Sequence, residues 1–146
     1  MIRKAIPADL NREESIPLVI EALRTERYPT LVISLERIRA TALECITSAQ
    51  NFAWVCEKDG KIVGAVGATT NPGFWFERSE VNVVMFYCKA PGEGIALLRE
   101  LVRWFRSRPI LKRLNFVCEY DADPRLGKLL ERLGLNKAFP TYSLIK

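Results

Sequence analysis

The chain contains no histidine among its 146 residues. Histidine is the commonest side-chain general base, the usual activator of serine and cysteine nucleophiles, and the commonest metal ligand. Its absence leaves carboxylates, phenols, thiols, lysines and backbone groups to carry out any catalysis. We therefore expect a site that holds no metal.

Long hydrophobic runs are absent as well. No stretch approaches about 18 uninterrupted apolar residues, and Pro7 and Asp9 interrupt the N-terminus before a signal peptide could form. We therefore expect a cytoplasmic protein that does not associate with a membrane. The composition, 49% hydrophobic and 27% charged, is that of a folded chain and predicts one domain over residues 1–146.

Cysteines are few and widely spaced, with no Cys-x-x-Cys pair. Each lies in an apolar segment, which favours reduced and mostly buried thiols over disulfides or a zinc site. The four are Cys45, Cys56, Cys88 and Cys118.

Hydrophobic periodicity predicts the element order β-α-α-β-β-β-α-β-α-β. The boundaries follow from local signals: a first strand from Ile2 to Ile6, a helix from Ser15, its expected N-cap, to Glu26, and a second helix after Ser34. A hairpin turn is predicted at Asp59-Gly60, a strand from Leu114 to Cys118, and a last helix between Asp123 and Gly134. This order predicts an α/β protein of the α+β kind, with a single mixed sheet and helices on both faces.

A glycine-rich turn connects the strand Val81–Cys88 to an amphipathic helix. A helix N-terminus carries unpaired N–H groups, and glycines let a ligand approach the backbone, so this turn is a candidate anion site. It is not a P-loop, because no Gly-Lys-Ser/Thr follows. It is not a dinucleotide fingerprint either, since Leu97 stands where a third glycine would be needed.

The turn reads Lys89-x-x-Gly92-x-Gly94 and continues as Ala96-Leu97-Leu98. This resembles the signature Gln/Arg-x-x-Gly-x-Gly/Ala of the GCN5-related N-acetyltransferase (GNAT) family, with lysine at the first position. The element order and the length agree as well, so the resemblance covers nearly the whole chain. It implies the acyl-CoA N-acyltransferase fold and transfer of an acetyl or acyl group to an amine, by direct attack in a ternary complex.

The same resemblance implies that acetyl-CoA, as the co-substrate, lies along this stretch. Val84, Met85 and Phe86 would hydrogen-bond the pantetheine arm, and a backbone N–H near Val84 or Met85 would meet the oxyanion. We expect the side chain of Glu93 to point outward. The residues implied at the pyrophosphate are Lys89, Ala90, Gly92, Glu93, Gly94 and Ile95.

A carboxylate on the central strand commonly removes the amine proton in this family, often through water. Glu80, at the start of that strand, is the candidate base here, and at period two it shares a face with Asn82 and Val84. Glu77 and Glu119 are lesser candidates. A purely structural, exposed glutamate remains the alternative for each.

Many family members protonate the leaving thiolate with a tyrosine four residues before the glycine that ends the last helix. Leu130 occupies that position here, which leaves Tyr120 as the candidate acid and Tyr87 as a further one. Packing is the alternative role for both tyrosines. Phe86 also replaces the customary proline, and the two departures would suit a compact, divergent member of the kind found in bacteriophages.

The implied partner is an amine-bearing substrate: a small molecule, a protein amino group and a modified nucleic acid base all stay open. We expect its pocket to be built by the first two helices, the loop from Asn71 to Phe76 and the C-terminal tail. A homodimer is also open.

Basic residues cluster in the third helix and just beyond it, which suits nucleic acid or another acidic partner. A solvated helix face is the alternative for this cluster. The competing function is a catalytically weak or inactive binding or structural protein with the same fold. The cluster comprises Arg99, Arg103, Arg106, Arg108, Lys112 and Arg113.

Overall fold

A computed structural model of the chain describes residues 1–23, 32–72, 77, 79–90, 92–117, 123–138 and 144. The strands in these residues are β1 Ile2–Lys4, β2 Phe52–Lys58, β3 Lys61–Asn71, β4 Glu80–Cys88 and β5 Arg113–Asn115. The helices are α1 Ser15–Leu23, α2 Leu35–Thr47, α3 Glu93–Arg106 and α4 Pro124–Arg132, with a short 3-10 helix at Pro7–Asn11. The predicted order is confirmed as far as the described residues reach, and the predicted closing strand lies mostly outside them.

The strands form one mixed sheet in the order β1-β2-β3-β4-β5, antiparallel except for the parallel pair β4-β5. Side chains alternate across it: Phe52 packs in a cluster with Leu97 of α3, whereas Ala53 packs with Leu18 of α1 and Cys45 of α2. Helices therefore cover both faces, as predicted. Among the described residues, no helix has the length and apolar character needed to span a membrane.

The predicted turn and cap residues adopt the expected backbone. Asp59 and Gly60 have φ of 52° and 73° in the β2–β3 hairpin, and Gly134 has φ of 98° after α4. Ser34 Oγ accepts the Arg37 N–H at 3.3 Å, and Asp123 caps α4 through the Arg125 N–H at 2.9 Å.

Three predicted boundaries differ from the structure. Strand β1 ends at Lys4 rather than at residue 6, and β5 spans Arg113–Asn115 rather than residues 114–118. Ser15 is the first residue of α1 instead of its cap, because its hydroxyl donates to the Asp9 carbonyl at 2.5 Å.

Strand β4 contains a bulge at Val84. Ala68 of β3 pairs with Val83, and Gly67 pairs with Met85, so Val84 has no partner in the register. One extra residue exchanges the two faces of everything that follows it. Val81 therefore packs toward α3 before the bulge, and Phe86 does so after it.

Gly64 of β3 lies between two cysteines, paired with Cys56 of β2 on one side and Cys88 of β4 on the other. A Cβ built on Gly64 would lie 2.6 Å from Cys88 Sγ, closer than real Cβ contacts. Cys45, Cys56 and Cys88 are free thiols, as predicted, and Cys118 lies outside the described residues.

We expect Gly64→Ala to lower the free energy of unfolding by about 1–3 kcal/mol, the usual cost of overpacking a core. Gly127→Ala is the matched control, because a Cβ on this helical glycine meets no atom within 4 Å. That variant should be neutral or stabilising by up to about 1 kcal/mol. Urea denaturation measures the free energy of unfolding of both variants. Equal values for Gly64→Ala and Gly127→Ala would contradict the close contact at Cys88.

Candidate functional site

Strand β4 parts from β5 after only three residue pairs, which join Glu80 to Arg113, Val81 to Leu114 and Asn82 to Asn115. At the point of parting, the amide of Asn115 donates to Asn82 Oδ1 at 3.0 Å. From Val83 to Cys88, no described strand pairs with this edge of β4. Its backbone groups there can hydrogen-bond an extended, amide-bearing ligand.

The turn after β4 leads into a helix start whose backbone N–H groups can bind an anion. Gly92 adopts the left-handed conformation, with φ of 81°, and is the residue from which α3 starts. The first-turn N–H groups of Glu93 and Ile95 donate to the carbonyls of Ala90 and Gly92 at 3.3 Å, beyond the usual 2.7–3.2 Å. These donors are weakly engaged, so they are suited to a phosphate at the positive end of the helix dipole.

Gly94 brings the start of α3 close to β4. A Cβ at this position would lie 3.1 Å from Phe86 Cζ and 3.3 Å from Cys88 Cβ, tighter than ordinary van der Waals contact. The Phe86 ring also meets the ring of Phe116 beyond β5, with 5.8 Å between centroids. The open edge of β4 and the helix start are therefore held side by side.

The predicted orientation of Glu93 is wrong. Its side chain is half-buried, and the buried Cys56 thiol donates to its Oε2 at 4.0 Å, so the carboxylate lies between α3 and the sheet. Burial raises the pKa of Cys56, with smaller contributions from Cys88 and Glu93. The inward orientation keeps the carboxylate away from an anion bound above the turn.

Glu21 of α1 joins two residues at the end of β4. Tyr87 donates its hydroxyl to Glu21 Oε1 at 2.7 Å, and Lys89 Nζ lies 2.6 Å from Glu21 Oε2. The hydrogen bond from Tyr87 to Glu21 is the main cause that raises the pKa of Tyr87, and burial is the next. Both favour the protonated phenol. Sequence reasoning missed Glu21, because no local signal shows that α1 lies over this end of β4.

A cavity of about 410 Å³ is lined by residues of α1, α2 and the sheet and extends to Val84 and Met85 at the bulge. Among the lining residues that the structure describes, only Asp9 and Arg37 are charged, and most of the others are aliphatic. The first two helices thus border this cavity. Most of the loop and the tail that we expected to complete it lie outside the described residues.

Asp9 belongs to an ionic network beside that cavity. Arg3 contacts both Asp9 oxygens at 2.8 Å, and the Ile6 N–H donates to Oδ2 at 2.9 Å. The Arg3 hydrogen bond is the main reason that the pKa of Asp9 lies below its ordinary value. Glu57 accepts from Arg3 Nε at 2.8 Å and also from Arg12, and these two bonds lower its pKa to about 2. Neither carboxylate is suited to accept a proton near neutral pH.

The candidate base Glu80 lies at the start of β4, and its Oε1 is 3.7 Å from Arg113 Nη1. The alternation along β4 places its side chain on the face opposite Val81, the same face as the cavity. Its Cα is about 13 Å from that of Val84, at the rise of an extended strand. Proton transfer between these positions would therefore need a water chain.

Of the remaining candidates for the base, Glu77 and Glu119, and for the acid, Tyr120, the structure describes only Glu77. Glu77 is exposed, and Glu119 and Tyr120 lie outside the described residues. Leu130 is buried, at 7% exposure, so the position of the customary tyrosine is filled by a packing side chain.

The arrangement of a mixed sheet whose fourth strand leaves the fifth beside a glycine-started helix defines a class, the acyl-CoA N-acyltransferase fold. Solved structures with this fold are similar over nearly the whole chain. An acetyltransferase of the GNAT family from Streptococcus pneumoniae is 22% identical, with a TM-score of 0.69, covering 92% of this chain and 82% of that one. The fold implied by the sequence resemblance is thereby confirmed.

Two further neighbours were solved with ligands. AAC(6')-Iy, in complex with the bisubstrate analogue CoA-S-monomethyl-acetylneamine, is 13% identical with a TM-score of 0.73, covering 100% of this chain and 97% of its own. A protein from Clostridium acetobutylicum, described as a predicted acetyltransferase with acetyl-CoA, is 17% identical with a TM-score of 0.67, covering 99% and 94%. No model of a protein family matches the chain, and a search of curated proteins finds no match. None of the three neighbours supports the phage-type hypothesis.

The depressed pKa values of Asp9 and Glu57 predict destabilisation by acid. Both groups have folded-state values below their ordinary 3.8 and 4.5, so they stabilise the fold above those values. The contribution disappears as the pH falls from about 4.5 toward 2, where the unfolded chain binds more protons. Chemical denaturation across this range should show the loss. It should be smaller in Glu57→Gln, whereas Glu13→Gln, at an exposed position, should behave like the unaltered chain.

Proposed function

We propose that the chain transfers an acetyl group from acetyl-CoA to an amine. The observation that carries this proposal is the open edge of β4 held beside the glycine-started helix α3 by Gly94. The edge of β4 offers backbone groups for the amides of pantetheine, and the start of α3 offers the positive end of a helix for the pyrophosphate. The ligands of the two neighbouring structures, a CoA-based bisubstrate analogue and acetyl-CoA, support the same assignment.

In this proposal Lys89 adds one positive charge beside the pyrophosphate. Its ammonium group is half-exposed and already paired with Glu21, so its attraction for a phosphate is reduced. Most of the binding energy for the pyrophosphate then comes from the backbone of the turn, from Ala90 to Ile95. The pantetheine arm follows Val84, Met85 and Phe86.

The reaction is direct attack of a neutral amine on the thioester carbonyl, which breaks the carbon–sulfur bond and releases the thiolate of CoA. We assign removal of the amine proton to Glu80 through water, because its carboxylate shares the face of the sheet that borders the cavity. A backbone N–H at the bulge, Val84 or Met85, stabilises the oxyanion. Tyr120 protonates the thiolate, and Tyr87, held protonated by its bond to Glu21, is the second candidate.

The cavity between α1, α2 and the sheet receives the acceptor in this scheme. Its volume of about 410 Å³ falls in the range of small-molecule sites. A strongly polar acceptor would leave many groups without hydrogen-bond partners against this aliphatic lining, which costs free energy. The class that fits best is therefore a small amine carried by an apolar body, with the amine directed toward Val84.

A second candidate function is acyl-CoA binding without catalysis. Two observations favour it: Leu130 fills the position of the customary tyrosine, and Arg113 lies close to the carboxylate of Glu80. Binding of acetyl-CoA with no transfer to any amine would be the outcome expected for such a protein.

Acetyl-CoA should raise the melting temperature selectively. At a concentration of 100 Kd, binding stabilises a fold by about 2.7 kcal/mol, and ATP or ADP at the same concentration should give a much smaller shift. Gly94→Val should abolish the acetyl-CoA shift, because its side chain would press against Phe86 and Cys88. Gly127→Ala should retain the shift. Equal shifts with ATP and acetyl-CoA would contradict the pantetheine half of the site.

Glu80→Gln should lower kcat by about 100-fold or more, the usual contribution of a general base, while leaving the acetyl-CoA thermal shift intact. Glu13→Gln, at an exposed position outside the proposed site, is the matched control and should keep full activity. Release of CoA, followed chromatographically with a panel of arylalkylamines and amino sugars, measures the effect. A loss in Glu80→Gln that high pH does not relieve, and that carries no change in the pH profile, would indicate a structural role for Glu80.

A further inference from the structure

The formal charge of the chain is unevenly distributed. The first 92 residues contain 11 acidic and 11 basic side chains, whereas the last 54 contain 6 acidic and 11 basic ones. The whole net charge of +5 therefore belongs to the part of the sequence that begins with α3. Such asymmetry concentrates the positive potential of a protein on one region of its surface.

Part of this charge lines a groove of about 450 Å³ between α3 and the end of α4. Four of the seven described residues that line it are arginines, and none of the seven is acidic. Arg99, Arg103 and Arg106 recur at i, i+4 and i+7, which places them along one face of α3. Arg132 faces them from the last turn of α4. We name these four the arginine groove.

The four guanidinium groups are differently engaged. Arg106 donates to the Leu133 carbonyl at 3.3 Å, which ties α3 to the end of α4. Arg103 pairs with Glu100 at 2.5 Å, but its side chain is 74% exposed, so this pair is weak. Among the described residues, Arg99 and Arg132 have no ion-pair partner, and both are exposed. At least two cations of the groove are thus free to bind an external anion.

We propose that the arginine groove binds the phosphodiester backbone of a nucleic acid. From Arg99 to Arg106 the axis of α3 advances about 10.5 Å, over which one strand of a duplex presents about three phosphates. Guanidinium groups match phosphate oxygens through paired hydrogen bonds, and here all the cations are arginines. The guanidinium groups therefore form a row of positive charge that can contact neighbouring phosphates of one strand.

The lining favours this occupant over a protein or a membrane. Protein interfaces depend on an apolar or aromatic centre, and peripheral membrane binding needs apolar side chains that insert. The apolar residues of the groove are only Val102, which is buried, and the half-buried Leu133. Without aromatic side chains for stacking, the groove would contact phosphates and leave the bases unread.

The arginine groove is separate from the proposed acetyl-CoA site. Gly92, where the pyrophosphate is expected, precedes the first turn of α3, whereas Arg99, Arg103 and Arg106 lie about 10.5, 16.5 and 21 Å further along the helix axis. The proposal therefore does not depend on acetyl transfer. The two functions can fail or hold independently.

The test is fluorescence anisotropy with a labelled 20-base-pair duplex and a 20-nucleotide single strand, between 50 and 200 mM NaCl. We expect binding that weakens with salt, with a slope of log Kd against log salt of about 3 for the duplex. Arg99→Gln/Arg132→Gln should reduce the slope by about 2 and weaken binding at 50 mM about tenfold. Lys58→Gln/Lys61→Gln, at the exposed β2–β3 turn, removes the same charge elsewhere and should leave both values unchanged.

Four outcomes would overturn the proposal. They are absence of binding at 50 mM, an equal loss in the lysine control, and binding of polyglutamate or of anionic lipid vesicles as tight as that of the duplex. The fourth is a lowered acetyl-CoA thermal shift in the arginine variant, which would assign the groove to the cofactor site. The melting temperature of each variant without ligand verifies that folding is unchanged.

Discussion

The structure depends on how β4 is paired. Strand β4 pairs with β3 from Glu80 to Cys88, but it pairs with β5 over only three residues. The long antiparallel pairing fixes β4 in the sheet, and among the described residues no strand pairs with its outer edge beyond Asn82. A fixed strand with such an open edge is an unusual combination, since an open edge is normally a liability for aggregation. Here the edge leads directly to a helix start, and in the proposed function the two together bind the amides and the phosphates of one ligand.

The bulge at Val84 makes this arrangement compatible with a packed core. Without the extra residue, Phe86 would face the cavity, and the strand could not offer Met85 to it. With the bulge, Phe86 and Cys88 fill the space under α3, where Gly94 allows the helix to approach. The cavity thus meets β4 at Val84 and Met85, and the helix start packs on the opposite face of the strand, at Phe86 and Cys88.

Much of the fold could be predicted from the sequence because its signals are local. The left-handed glycines Gly60 and Gly134, the helix start after Ser34 and the cap Asp123 depend on a few neighbouring residues, and these were placed correctly. The position of the glycine turn between β4 and α3 was also predicted correctly.

The features that were missed depend on residues far apart in the sequence. The bulge is a property of the register between β3 and β4, and the inward direction of Glu93 depends on space beside Cys56. The link from Glu21 to Lys89 needs the position of α1. Arg132 belongs to the arginine groove because the end of α4 lies beside α3, and no local sequence signal shows that contact. The catalytic residues are the least predictable, because a carboxylate such as Glu80 has no sequence mark that separates a base from an ion-pair partner.

The two cysteines on either side of Gly64 have a chemical consequence. Their thiols face the same layer under α3, next to the turn proposed for a thioester cofactor. Yet Cys56 and Cys88 stand two strands apart, so their Cα atoms are separated by about 9.5 Å. That exceeds the roughly 7 Å that a disulfide can span without movement of the backbone. Gly64 therefore allows the two thiols to lie in one layer, while the spacing of the strands prevents a disulfide between them without movement of the backbone.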